Sequence, residues 1–541
     1  MASAIPFSTS SHASILLDGE TLTVDQLTQA AIHHVPVATF PKQEARVKAS
    51  RDLLEGLVAS GRIIYGVTTA VGGFVNWLIP EDLAETLQNN ILRGVSSNVG
   101  PDLDDVYVRA AMLCRINSLG RGISAISLEN FRKYIDVYNA GIIPCIPERG
   151  SLGASGDLGP LAYIALVVTG GWRAKYQGEI LPGAEALQRA GLEPARLSYK
   201  EGLAMINGTS AMVGVAAPTL YHAKKLIKQS ALIAAFSLEA LRGKIMPYHP
   251  AVHRNKPHPG QVKVAAAVWS TLADSRMVVQ DEEMDRWLSS LRTGEPQGMD
   301  QQIEDAYSLR ATPQILGPSV DAIWQADRTL QIEINSTNDN PLVIVEEGEA
   351  FHNAHFHGQY VSQAMDHLSI AITTLCNLHD RRIDRYLDPY HNNGLPPFLC
   401  KENPGLRHGL MGGQYCATSI MAEIRSLCHP VSIQTLTTTG DFQDHVSMGL
   451  VAARRARDIL NMSYYIPAFE LVCAAQAADQ RDGGPQTLSS VTKKIYAMVR
   501  EVAPYLDHDE SLSDYITAAA DLLRGGRLLE ALPEGDLYWD D

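Results

Sequence analysis

The sequence predicts a mainly α protein, a large helical bundle entered through a loop-rich N-terminal region. Three observations predict it. Residues 359–387 (QYVSQAMDHLSIAITTLCNLHDRRIDRYL) and 210–241 are long, and apolar over most of their helical faces. Helices of that kind are buried on nearly all sides. Glycine and proline cluster in the first third, in GVTTAVGGF (66–74), PCIPERGSLGASGDLGP (144–160) and 181–197, which read as loops and short helices. Strand-like runs are short and few, PLVIV (341–345) being the clearest. Segments 448–460 and 512–532 add further i, i+3, i+4 patterns.

Composition narrows the function classes. The chain has 541 residues, 45% apolar and 19% charged, ordinary for a soluble globular protein. A net charge of −15 argues against nucleic acid as a partner, because phosphates need a basic face. The most apolar long stretch, 208–243, is interrupted by Lys224, Lys225 and Lys228, so it reads as a core helix and not a membrane span. Seven scattered cysteines with no C-x-x-C read as buried thiols in a reducing compartment. The first twenty residues lack a basic n-region and a long apolar h-region. The expected location is the cytoplasm.

The segment Ser151-Leu152-Gly153-Ala154-Ser155-Gly156-Asp157 carries the most unusual chemistry. Glycine lets a backbone amide approach a preceding carbonyl closely. Attack of the Gly156 nitrogen on the Ala154 carbonyl closes a five-membered ring. Loss of two waters, one from the Ser155 hydroxyl, leaves an exocyclic methylene on an imidazolone. That methylene is an electrophile no ordinary side chain supplies. The same triplet also reads as a tight turn or an anion-binding nest, and the triplet alone does not choose between them.

Other segments do. GSLGASGDLGPLA (150–162), YGVTTAVGG (65–73), EGLAMINGTSAM (201–212), AYSLRATPQILG (306–317), NSTNDNPLV (335–343), NAHFHGQ (353–359) and FQDHVSMGL (442–450) together resemble the signature of the aromatic amino acid ammonia-lyases and aminomutases. They occur in family order. Within that family the chain most resembles bacterial phenylalanine 2,3-aminomutases of antibiotic biosynthesis. The resemblance implies a large elongated helical bundle, a homotetramer with shared active sites, and the 4-methylidene-imidazol-5-one (MIO) group formed autocatalytically from Ala154-Ser155-Gly156. It implies a small-molecule aromatic amino acid as substrate and no external cofactor, metal, membrane or nucleic acid. Three regions follow: 1–200 with the tyrosine and MIO loops, 201–480 as a central bundle, and 481–541 as a C-terminal helical region, all in one catalytic unit.

The resemblance also implies roles. Tyr65 moves the β-proton; with an unperturbed pKa of about 10 it needs positive potential, such as helix N-termini, to act as a base near neutrality. Arg310 takes the substrate carboxylate with a two-pronged guanidinium. Asn207 contacts the prosthetic group and Asn340 the carboxylate region. Tyr307, three residues before Arg310, shares its helical face and hydrogen-bonds near the migrating amine. Phe356 packs on the prosthetic ring, and Gln443 stands where some relatives carry glutamate. His352, His355 and His357 invite a metal reading, but their H-x-x-H-x-H spacing is unusual for zinc.

Substrate choice rests on Gly94 and Val95. Histidine- and many tyrosine-specific relatives carry a histidine near that pair, and this chain offers no donor there. A buried phenol without a partner costs about 1–3 kcal/mol, whereas a phenyl ring loses nothing. Leu203, Val95 and Phe442 are the candidate walls of an apolar ring pocket. The expected reaction is conversion of L-phenylalanine to β-phenylalanine, of (S) configuration by resemblance, through cinnamate with some ammonia-lyase activity. The alternatives are a phenylalanine or tyrosine ammonia-lyase and, from another class, a non-catalytic helical scaffold. Departures from the lyase pattern at Ala70-Val71, Gly159, His355 and Phe442 put pure lyase behaviour in doubt and do not by themselves make a mutase.

Overall fold

The computed structural model describes residues 14–290, 296 and 302–533. Helix dominates, and the strands are two to four residues long. The apolar segments form the long helices Ser210–Ala240 and Gln359–Leu387. Pro218 lies inside the first of these, more than two turns past its start, and the helix continues through it. Segment 448–460 forms Gly449–Ser463. Segment 512–532 is two pieces, Ser513–Gly525 and the 3-10 turn Arg527–Ala531, because Gly526 adopts φ +78° and closes the first.

Residue contacts group the chain into two compact units, each built from separated segments. The regions 1–200, 201–480 and 481–541 order the motifs along the sequence. The first unit comprises Met1–Tyr221, Asp327–Asp366 and Pro430–Arg454. Its glycine- and proline-rich loops fall where expected, but substantial helices run between them, including Pro41–Ala59 and Asp105–Gly120. Asp105–Gly120 is buried continuously from Val108 to Gly120, so no polar stripe marks it in the sequence. The Val at 343 pairs as expected of a strand: Leu342–Ile344 runs antiparallel to Glu349–Phe351.

The second unit comprises His222–Ala326, His367–His429 and Arg455–Asp541. Its central helix Tyr465–Gln480 is buried from Ile466 to Ala478 and packs on Ser513–Gly525 and Met411–Leu427. Among the described residues no helix is long and apolar enough to cross a membrane.

Candidate active site

The Ala154-Ser155-Gly156 tripeptide sits just before the helix Leu158–Val168. It is held from two sides by segments distant in sequence. On one side is 207–212, the turn that leads into the helix Ser210–Ala240. Gly156 makes bridge contacts with both Ala154 and Gly208, and the Asp157 N–H donates to the Gly208 carbonyl at 2.8 Å. Gly156 has φ +69°, and any Cβ there would collide with the Gly208 backbone, so only glycine fits. Asn207 Nδ2 donates to the Ser155 carbonyl at 3.2 Å, while its Oδ1 is buried with no partner among the described residues.

On the other side is 443–448. Gln443 Nε2 donates to Ser155 Oγ at 3.0 Å and its Oε1 accepts from Thr438 at 3.2 Å. The Met448 N–H donates to the Leu152 carbonyl at 3.0 Å. Asp157 completes the clamp: its carboxylate accepts from the Met212 N–H at 2.5 Å and the Ser151 hydroxyl at 2.9 Å. It therefore caps the first turn of Ser210–Ala240. Burial raises its pKa to about 7, outweighing those donors. Gly159 has a local reason too, since a Cβ there would meet the Asn98 side chain.

Tripeptide and clamp line a cavity of about 1460 Å³ within the first unit. Tyr65, Gly94, Val95, Leu203, Asn207, Asn340, Phe356, Phe442 and Gln443 line it as well. The sequence-selected residues from six separate segments thus come together, with Gly94, Val95, Leu203 and Phe442 supplying apolar surface. Asn340 Oδ1 accepts from the Asn353 N–H at 2.8 Å, so in this state its amide holds a neighbouring loop. Phe442 is half exposed.

Two details of Tyr65 differ from the sequence expectation. Its hydroxyl accepts from the Gly72 N–H at 3.0 Å, a donor within its own loop. Its pKa is raised, because burial outweighs that donor; the expected lowering is not found in the single chain. Its main-chain N–H donates to His352 Nε2 at 3.1 Å. His352 also lines the cavity, so one of the three histidines that invited a metal reading serves as an acceptor. Among the described residues no group of three or more His, Cys, Asp or Glu side chains is placed to hold a metal ion.

Tyr307 and Arg310 do not line the cavity. They lie in the second unit on the four-residue helix Tyr307–Arg310, with the guanidinium carbon 4.9 Å from the Tyr307 ring centroid, as their spacing predicts. Arg310 Nε donates to the Asp305 carbonyl at 2.8 Å and Nη2 pairs with Glu304 at 2.7 Å. Among the described lining residues there is no arginine or lysine.

Sequence reasoning missed Gln88 and the roles of Asp157 and His352. Gln88 is buried and bridges two site segments, donating to the Gly66 carbonyl at 3.1 Å and accepting from the Leu203 N–H at 3.0 Å. A buried glutamine at an apolar-periodic position of the helix Ala84–Val95 was the available signal.

The Ala154-Ser155-Gly156 tripeptide, held in a backbone cradle, lines one cavity with a tyrosine and apolar side chains. Comparison with known proteins identifies the family. The chain belongs to the aromatic amino acid lyase family, whose model matches residues 22–501. It is similar in structure to the phenylalanine aminomutase of Pantoea agglomerans, with a TM-score of 0.92 and 52% identity over 94% of this chain and 99% of that one. It is 41% identical to a tyrosine ammonia-lyase of Cupriavidus metallidurans, covering 95% of this chain and 97% of the relative. It is 40% identical to a histidine ammonia-lyase of Gloeobacter violaceus, over 96% and 97% respectively.

Proposed function

We propose that the chain is an aminomutase that converts L-phenylalanine to (S)-β-phenylalanine, with release of trans-cinnamate and ammonia as a side reaction. The observation that carries this reading is one cavity in which Tyr65 and Ala154-Ser155-Gly156 meet an apolar wall of Gly94, Val95, Leu203 and Phe442. A phenyl ring satisfies that wall; a phenol or an imidazole would leave a polar group without a donor at Gly94-Val95. The likeness to the Pantoea enzyme supports the same reaction.

The residues present fit an MIO group. Gly156 is confined by Gly208 to a backbone that only glycine adopts, the Asn207 amide and Gln443 hold Ser155, and Asn207 Oδ1 has an unused acceptor. When formed, the group supplies an electrophilic methylene that makes a substrate amine a competent leaving group. The chain's own residues do the rest. Tyr65, its oxygen held by the Gly72 N–H, must be the phenolate when it takes a proton from the β-carbon as the Cα–N bond breaks. The products of that step are cinnamate, the amine equivalent and a protonated Tyr65. Return of the amine to Cβ and of the proton to Cα gives the β-amino acid; escape of cinnamate gives the lyase outcome. Phe356 and the apolar wall orient the ring and exclude water.

A carboxylate in this cavity needs a cation that the cavity's own walls lack. In this reading Arg310 and Tyr307 come from a second copy in a homotetramer, and the carboxylate displaces Glu304 from Arg310. The deciding experiment incubates the enzyme with L-phenylalanine, L-tyrosine and L-histidine separately and resolves the products by chiral chromatography. Expected is β-phenylalanine with minor cinnamate. Cinnamate alone would make the protein a lyase, and turnover of histidine or tyrosine in preference would overturn the substrate assignment.

A further inference from the structure

Tyr65 reaches beyond its own loop through one hydrogen bond among those of the described residues, and that bond goes to His352. The hydroxyl is held inside the loop, by Gly72. So is the backbone around it: Ile64 N–H binds Thr68 Oγ1 at 2.8 Å, Gly66 N–H binds Thr69 Oγ1 at 3.2 Å, and Ala70 N–H binds the Trp77 carbonyl at 2.9 Å. Outside the loop, Gln88 Nε2 donates to the Gly66 carbonyl at 3.1 Å, and Ile64 and Val67 are buried in a cluster with Leu54, Val58 and Val343, so the base of the loop is held on two sides of Tyr65. The far end of the loop offers little further hold, since Phe74, Trp77 and Leu78 are each about two-thirds exposed.

The His352 side is built differently. His352 directly follows the short antiparallel pair Leu342–Ile344 and Glu349–Phe351. The next residue is tied down twice: Asn353 N–H donates to Asn340 Oδ1 at 2.8 Å, and Asn353 Oδ1 accepts from the His355 N–H at 2.7 Å. The same pair of strands reaches the loop a second time, through the Arg62–Glu349 ion pair at 2.7 Å. The backbone at 353 is therefore tied to Asn340, and the His352 side chain adds one bond from this side to the Tyr65 main-chain N–H.

We infer that His352 is a positioning residue of the Tyr65 loop, and that its Nε2 acceptor tunes how long the loop retains cinnamate and hence the ratio of β-amino acid to lyase product. This rests on the proposed function for its product readout. The acceptor role requires the neutral ring protonated on Nδ1, since Nε2 must offer its lone pair. His352 touches the backbone of Tyr65 and not its hydroxyl, so it acts through placement and not through proton transfer.

The test compares His352→Leu with His352→Gln in the full-length MIO-containing enzyme, Gln keeping an acceptor at similar reach. Two quantities are read: hydrogen exchange of the amides at 62–72, and the ratio of β-phenylalanine to cinnamate with kcat and KM separated. His352→Leu is expected to speed exchange at the Tyr65 amide and lower the product ratio by roughly three- to tenfold, the equilibrium weight of one hydrogen bond, with KM nearly unchanged. His352→Gln is expected to restore both. Unchanged exchange in His352→Leu, faster exchange with an unchanged ratio, or a Gln variant as impaired as the Leu variant would each overturn the inference. Should wild type convert L-phenylalanine to neither product, the proposed function fails, while the exchange comparison still decides whether His352 holds the loop.

Discussion

Two regions of this molecule hold a serine in a cluster of side-chain hydrogen bonds, the Gln443–Ser155 contact in the first unit and the His379–Ser230 contact in the second, and only one has the surroundings of an active site. In the second unit, His379 Nε2 lies 3.0 Å from Ser230 Oγ and its Nδ1 lies 2.5 Å from Glu470. By residue type that is the arrangement of a hydrolase triad. All of it is walled in, however: His379, Glu470 and Arg382 have no exposed surface and stand on helices, and Ser230 Oγ donates to the Leu226 carbonyl of its own helix. Burial alone would push the Glu470 carboxyl up, but Arg382 and His379 outweigh it and hold it below the ordinary value. Burial likewise holds His379 toward its neutral form. The cluster is a buried ion pair that pins three helices. In the first unit the groups stand on loops around an open cavity, where a small molecule can reach them. Accessibility, not residue type, separates the two.

Mutations should keep the two regions apart. The largest effect on activity is expected from Ser155→Ala: turnover with L-phenylalanine is lost while circular dichroism and melting stay close to wild type. Tyr65→Phe should keep the MIO absorbance and lower kcat by about 10²- to 10⁴-fold, the range of a general acid–base group; retained turnover would remove Tyr65 from the proton transfer. Glu470→Gln should do the reverse, costing about 3–5 kcal/mol of stability by denaturant unfolding because Arg382 is left buried without its counter-charge. Folded Glu470→Gln protein should still turn over substrate, and a selective loss of kcat at normal stability would break the comparison. Arg310→Lys should raise KM for L-phenylalanine roughly tenfold with a smaller change in kcat, since lysine cannot make the paired hydrogen bonds.

The smallest effect is on pH. Asp157 ionises at about 7 in the folded chain, well above its ordinary value of 3.8, and Glu239 in the second unit is likewise raised to about 7. A carboxyl whose folded pKa is raised contributes stability below the unfolded pKa, and loses it as pH rises toward the folded one. Melting temperature should therefore fall between pH 5 and pH 7.5, each group contributing on the order of 1 kcal/mol. Asp157→Asn should flatten part of that slope; an unchanged slope would remove Asp157 as a source.

Much of the site was legible because its chemistry is local. Ala154-Ser155-Gly156 is contiguous, and Tyr65, Asn207, Gln443 and the apolar wall sit in short motifs that the structure brings to one cavity. Tyr307 and Arg310 were legible as a stacked pair, since three-residue spacing on a helix is enough for that. Their absence from the cavity was not, because no local pattern says which copy or which unit a residue serves. Gln88 and His352 escaped for a different reason. Each acts by hydrogen bonds to backbone groups, two for Gln88 and one for His352, and the bond between His352 and Tyr65 spans 287 residues with no periodicity to announce it. The two-unit arrangement was hidden likewise, since each unit is assembled from three separated stretches.

The electrophile is the central claim, and intact-mass spectrometry of the purified chain tests it most directly. Wild type should lack the mass of two waters relative to its sequence, and Ser155→Ala should show the full uncyclised mass. A wild-type chain at full mass that still converts L-phenylalanine would contradict the account.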